Sequence, residues 1–261
     1  MRSIAAQTVQ ELGGPGSVLV RMRQEHSRME RMLQRLDRTR GDDQDAILMR
    51  LWRFVFPHAY AEETLVWPAI RAVADDGDET TLHIEEGHQK LSELTAALDR
   101  TPPGAPGRDD LIAEVVAELR LDIREEEDML LPRLQAGLTP RQLRRLGLGW
   151  QLVRCTAPTR PHVAVSRRPP GNVLVAVPLS VLDRCRDRLD SMARRSSGRV
   201  RARAERASAV LSAVAGRVER LGPARRGERA PTRPGRWTVH RWLTEAMDAR
   251  HPARARKTAR S

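Results

Sequence analysis

Cysteine is scarce in this chain: Cys155 and Cys185 are the only two in 261 residues, too few for a disulfide framework. Aromatic residues make up 3% against 40% apolar residues overall, so a core has to be built from Leu, Val, Ile, Ala and the eight Met. That composition favours helices over strands. Lysine is nearly absent, with Lys90 and Lys257 alone, and almost every positive charge is therefore an arginine. The longest apolar stretch, residues 173–182, is interrupted by Pro178 and falls short of the ~18 residues a membrane span needs. The opening Met1-Arg2-Ser3-Ile4-Ala5-Ala6 lacks the apolar centre of a signal peptide, so a cytoplasmic location with no membrane partner is expected. Gly13-Gly14-Pro15-Gly16 is followed by no Gly-Lys-Ser/Thr, and no Gly-x-Ser-x-Gly elbow occurs, which excludes the common phosphate-loop and hydrolase signatures.

Charge is abundant but unevenly placed. The whole chain carries a formal +12, which by itself points to nucleic acid or an acidic surface. Residues 1–150, however, hold 20 Arg/Lys against 26 Asp/Glu, a net of −6, and residues 151–261 hold 26 against 8, a net of +18. The basic character belongs to the C-terminal part alone.

Turn signals at residues 13–16, 41–43, 75–78 and 102–107 mark off four segments, each long enough for a multi-turn helix. Short connections make neighbours antiparallel, so an all-α, up-and-down four-helix bundle is expected, followed by an extended connector and additional short helices. Pro57 and Pro68 fall inside the second segment, where a bend or break is expected. Three-and-four spacing selects Leu19, Met22, His26, Met29, Leu33 and Leu36 on the first helix. On the second it selects Leu48, Leu51, Val55, His58, Glu62, Leu65 and Ala69. The third stripe is Ile84, His88, Leu91, Thr95 and Leu98, and the fourth is Ile112, Val115, Leu119, Asp122, Glu126 and Met129. Every stripe is interrupted by an imidazole or a carboxylate.

Burying an unpaired carboxylate costs several kcal/mol, so three histidines and three carboxylates converging in one core need a cationic partner. His58 and Glu62, like Asp122 and Glu126, are spaced i, i+4 and share a helix face. The candidate metal ligands are His26, His58, Glu62, His88, Asp122 and Glu126. Six nitrogen and oxygen donors suit two transition metals, with iron first and manganese second, whereas structural zinc favours four ligands with cysteine. His83 lies one position off its stripe and reads as a rim residue, and Glu63 and Glu127 read as supporting or solvated groups. Ferritin-like carboxylate centres use Glu-x-x-His pairs at i, i+3 together with single Glu residues, whereas this chain shows the reverse order at i, i+4, as in His58 and Glu62.

At these positions the sequence resembles the hemerythrin-like, or HHE cation-binding, family. The matching strings are Gln24-Glu25-His26, His58-Ala59-Tyr60-Ala61-Glu62-Glu63 running on to Trp67-Pro68, Glu86-Gly87-His88, and Glu126-Glu127-Asp128-Met129-Leu130-Leu131-Pro132, spanning about residues 15–137. The resemblance implies a four-helix bundle holding a non-haem di-iron centre that meets dioxygen, peroxide or related small oxidants. The family usually has histidine where this chain has Asp122, and its oxygen-carrying members have a second third-helix histidine where this chain has Ile84. The more anionic set favours ferric iron, which points to sensing or redox protection, with a weak peroxidase-, catalase- or ferroxidase-like activity left open, over oxygen storage.

The domain reading is residues 1–150 for the bundle with a short capping helix across one end, 151–221 for a Pro/Arg-rich connector and basic helices, and 222–261 for a flexible basic tail with a short helix near residues 238–248. The connector, residues 156–172, resembles the extension that follows the bundle in actinobacterial hemerythrin-like proteins and is expected to be extended, with His162 structural or solvated. Short amphipathic and basic helices are expected near residues 181–189 and 198–220. The apolar stripe of the second is Val200, Ala204, Ala207, Val210, Leu211, Val214, Val218 and Leu221. A second functional reading makes the protein a non-enzymatic scaffold whose arginines bind nucleic acid or an acidic partner through phosphate contacts, although no nucleic-acid-binding motif accompanies them.

Overall fold

The structure, a computed structural model, describes residues 1–235. Among these the chain is all-α, with no strand. Helix α1 (Val18–Asp37) opens on Ser17, whose side chain accepts a hydrogen bond from the Leu19 amide and satisfies one of the free donors of the first turn. α2 (Asp42–Ala61) carries Pro57 in its interior and runs into a π turn at Glu62–Val66, after which α3 (Trp67–Val73) continues with Pro68 in its first turn. α4 (Gly77–Arg100) starts where no side chain fits: a Cβ on Gly77 would lie 2.8 Å from the Ile70 carbonyl oxygen. α5 (Arg108–Glu125) ends in a second π turn at Glu126–Leu130, followed by α6 (Leu131–Gly137) with Pro132 in its first turn.

The two π turns have one cause. A proline ring collides with the carbonyl four residues back and offers no N–H, so the chain accommodates it with a wider loop. In both turns the hydrogen bond spans five residues, from the Trp67 amide to the Glu62 carbonyl and from the Leu131 amide to the Glu126 carbonyl. The expected bend near Pro68 is thus an inserted residue. It corrects the apolar stripes beyond each turn by one position: Val66 and Ile70 are fully buried where Leu65 and Ala69 were expected, and Leu130 is buried while Met129 is 44% exposed.

Two apolar clusters result. One gathers Leu19, Met22, Trp67, Ile84, Leu131 and Trp150, and the other gathers Met29, Leu33, Leu51, Val55, Leu91 and Leu119. Along α1, α2, α4 and α5 the chain passes from one cluster to the other through His26, His58, His88 and Asp122–Glu126, so the polar residues occupy the seam between two dry regions.

α7 (Pro140–Thr156) begins with a capping box between Thr139 and Gln142. It packs against α1 and α2. A Cβ on Gly147 would collide with the Gly16 carbonyl oxygen at 2.0 Å, which fixes glycine at this crossing. α8 (Gly171–Arg195) and α9 (Gly198–Glu219) form a hairpin, and α8 absorbs the short helix expected near residues 181–189, Pro178 included. α9 meets α8 through the small residues Ala204, Ser208 and Ala215, while Val200, Val210 and Leu221 of its expected stripe stay exposed. The helix expected near residues 238–248 and the end of the basic tail lie outside the described residues. Among the described residues no helix is long and apolar enough to cross a membrane.

Candidate metal centre

All six sequence-predicted ligands come together. His26 Nε2, His58 Nε2, one Glu62 oxygen and one Glu126 oxygen form a first group, and His88 Nε2, Asp122 and Glu126 a second, the donor atoms of each lying within 4.8 Å of one another. Glu62 turns Oε1 to His58 Nε2 at 2.9 Å and Oε2 to His88 Nε2 at 3.7 Å. Glu126 does the same in mirror image, with Oε2 3.2 Å from His26 Nε2 and Oε1 3.6 Å from His88 Nε2. Asp122 Oδ1 completes the second group at 3.5 Å from His88 Nε2. Each glutamate therefore faces both groups.

What turns the imidazoles inward is a set of outer carboxylates. His26 Nδ1 meets Glu127 Oε1 at 2.9 Å, His58 Nδ1 meets Glu25 Oε2 at 2.7 Å, and His88 Nδ1 meets Glu63 Oε1 at 3.0 Å. A carboxylate accepting the Nδ1 proton fixes the tautomer and leaves the Nε2 lone pair free, the arrangement that metal-bound histidines use. Glu63 and Glu127 thus support the histidines. Glu25, which the sequence reading gave no role, is the third member of the set. It stands one residue off the α1 stripe, where a glutamate looks solvated. His83 stays outside, exposed and paired with Glu125 at 3.0 Å.

The residues fit a cation. Glu62 Oε1 and Oε2, His88 Nε2 and Glu126 Oε1 are buried without a hydrogen bond, although several stand close to one another. Proximity without hydrogen-bond geometry is what donors aimed at a common point would give. His26 Nε2 and His58 Nε2 face each other at 3.1 Å with both Nδ1 atoms already engaged, so a proton or a cation has to sit at their lone pairs. With protons in that role, burial works against the charged imidazole of His26, but its bonds to Glu126 and Glu127 prevail and push its pKa up to about 10. Burial likewise opposes charge on His88, and the charge of Asp122 and its hydrogen bond reverse that and raise the pKa well above the ordinary value. Burial, then the charge of Glu126, pushes Asp122 up. A metal competes with these protons for the same lone pairs.

Indole rings wall the centre: Trp150 meets the His58 ring edge-on at 5.0 Å, and Trp67 lies 6.3 Å from the His88 ring. On the α1–α5 side a groove of about 650 Å³ opens at His26, Glu127, Ser27, Arg31 and Arg124. Behind His88 and Glu63 a small cavity of about 40 Å³ is lined in part by the connector, through Pro158, Val165 and Arg167.

Residues 14–134 match the family model described as the hemerythrin HHE cation binding domain. That span includes all six inner and all three outer residues. No curated protein and no solved structure matches the chain.

Proposed function

We propose that this is a hemerythrin-like protein whose helices α1, α2, α4 and α5, as an antiparallel four-helix bundle, hold two iron ions for redox sensing or protection against small oxidants. His26, His58, His88, Glu62, Asp122 and Glu126 would hold the ions, His26 and His58 on one side of the seam and His88 and Asp122 on the other. When bound, the iron pair supplies the electrons that reduce dioxygen, peroxide or a related oxidant. Glu25, Glu63 and Glu127 keep a proton on each Nδ1 and aim each Nε2 inward. Trp67, Trp150 and Ile84 exclude water from the centre, and Ile84 adds no donor four residues before His88. The α1–α5 groove beside His26 is the side by which a small molecule approaches. Three inner carboxylates against three histidines favour the ferric state, which suits a sensor or a scavenger better than an oxygen store.

The observation that carries this reading is the orientation of Glu62 and Glu126, each buried with one oxygen toward each group of nitrogens, while Glu62 Oε1, Glu62 Oε2 and Glu126 Oε1 make no hydrogen bond. Anaerobic reconstitution with ferrous iron, followed by desalting and iron analysis, tests it. About two irons per chain are expected for six nitrogen and oxygen donors. Less than about half an iron would refute it.

A further inference from the structure

Two of the three outer carboxylates are themselves gripped by arginines, and both arginines lie beyond residue 134, outside the segment that matches the family. Glu25, behind His58, receives the Trp150 indole N–H at 3.3 Å and the Arg154 guanidinium, both from α7. Glu63, behind His88, lies 3.5 Å from Arg167 Nη1, which the connector between α7 and α8 delivers. Arg167 is buried and fixed on its other sides, with Nε donating to Gln89 Oε1 at 3.0 Å and Nη2 to the His162 carbonyl at 3.3 Å. Among the described residues Glu127, behind His26, is paired with that histidine alone and borders the open groove.

The geometry points to Arg154 and Arg167 as positioning residues that set the charge, and with it the reduction potential, of the metal centre. The inference rests on the iron-binding reading above. Charge counting gives the reason. Glu62, Asp122 and Glu126 inside and Glu25, Glu63 and Glu127 outside make six carboxylates; two divalent ions and these two guanidiniums cancel them. Without the arginines, neutrality would be reached only with both irons ferric, and uncompensated buried charge is costly. The downstream segment thus restores to the ferrous state what the extra carboxylate at Asp122 takes from it, and it does so where a guanidinium matches a carboxylate in shape as well as charge.

The test is the midpoint potential of the iron-loaded full chain, measured with iron content and helical circular dichroism. Arg167→Gln and Arg154→Gln should each lower the potential, raising the ferric-to-ferrous ratio at fixed solution potential about tenfold, or about 59 mV for one electron. Arg167→Lys, which keeps the charge, should stay near the unaltered chain. Arg168→Gln is the control, because Arg168 anchors the same loop through Glu85 at 2.6 Å and Asp78 at 2.5 Å and touches no carboxylate of the centre. An unshifted potential in Arg167→Gln, an equal fall in Arg168→Gln, or an equal fall in Arg167→Lys would overturn the inference. Should Arg167→Gln not fold, Arg154→Gln decides by the same comparison. Iron bound with no shift removes this inference alone, whereas an unaltered chain that fails to bind iron removes the underlying reading and this inference with it.

Discussion

Among the described residues two buried clusters of histidine and carboxylate stand in contrast, built for opposite purposes. In the C-terminal part, His162 meets Glu219 through Nδ1 at 2.9 Å and Asp183 through Nε2 at 3.0 Å, so both ring nitrogens have partners. Asp183 also accepts the backbone amides of Thr159 and Arg160 at 2.9 and 3.1 Å. This is an ion-paired imidazolium that ties the connector to α8 and α9. In the seam of the N-terminal helices, His26, His58 and His88 each give Nδ1 to an outer carboxylate and turn Nε2 inward, where the nitrogens of His26 and His58 crowd against each other and all three against the oxygens of Glu62 and Glu126, with His88 Nε2 making no hydrogen bond. Residue types and burial are alike in the two places. The difference is that the two nitrogens of His162 meet separate carboxylates, whereas the three inner Nε2 atoms converge on shared oxygens, and that convergence separates a staple from a cation site.

The strongest way to break the comparison is to remove a shared oxygen donor. Glu126→Ala should strip iron from both positions, because Glu126 faces both groups, and retention of iron at the unaltered level would show that the two groups do not form one centre. His162→Ala should leave iron content unchanged and instead destabilise the fold by about 3–5 kcal/mol, since Asp183 and Glu219 would remain buried with their shared cation gone. Denaturant unfolding of the metal-free chain measures this, and a loss of iron without a loss of stability would invert the assignment of the two clusters.

The smallest effect is in pH. Burial opposes the charge on His162, but its bonds to Asp183 and Glu219 prevail and raise its pKa to about 9. A raised folded-state pKa contributes stability that is complete below the unfolded value of about 6.5 and is lost as pH rises through the folded one. The gap in thermal midpoint between the unaltered chain and His162→Gln, both metal-free, should therefore narrow between about pH 6 and pH 10. A constant gap would mean that His162 is held neutral.

The convergence of the six inner residues was legible because they interrupt apolar stripes whose spacing is otherwise regular. The all-α fold was legible for the same reason, from periodicity and turn residues. What escaped falls into two physical kinds. From the π turns at 62–66 and 126–130 onward the stripes run one residue out of phase, because a constant helical period cannot represent a π turn; Leu65, Ala69 and Met129 were misplaced together for that cause. Glu25, Arg154 and Arg167 escaped because an outer partner is chosen by distance across the fold. A glutamate beside a stripe, or an arginine among many, carries no periodic mark. The α9 stripe misled in the other direction, since its packing on α8 uses small residues and leaves Val200 and Val210 outside.

The π turns have a mechanical consequence. In an ordinary helix consecutive side chains diverge by about 100°, and one of two adjacent glutamates would face away. Here Glu62 and Glu63 both point inward but serve different histidines, Glu62 facing His58 and Glu63 steadying His88. Glu126 and Glu127 repeat the division between His88 and His26. Sliding the turn at residues 62–66 by one residue would withdraw an oxygen from His58 and the prop from His88 in a single movement. Each π turn thus ties, through two adjacent backbone positions, an inner oxygen to the prop of a histidine on another helix.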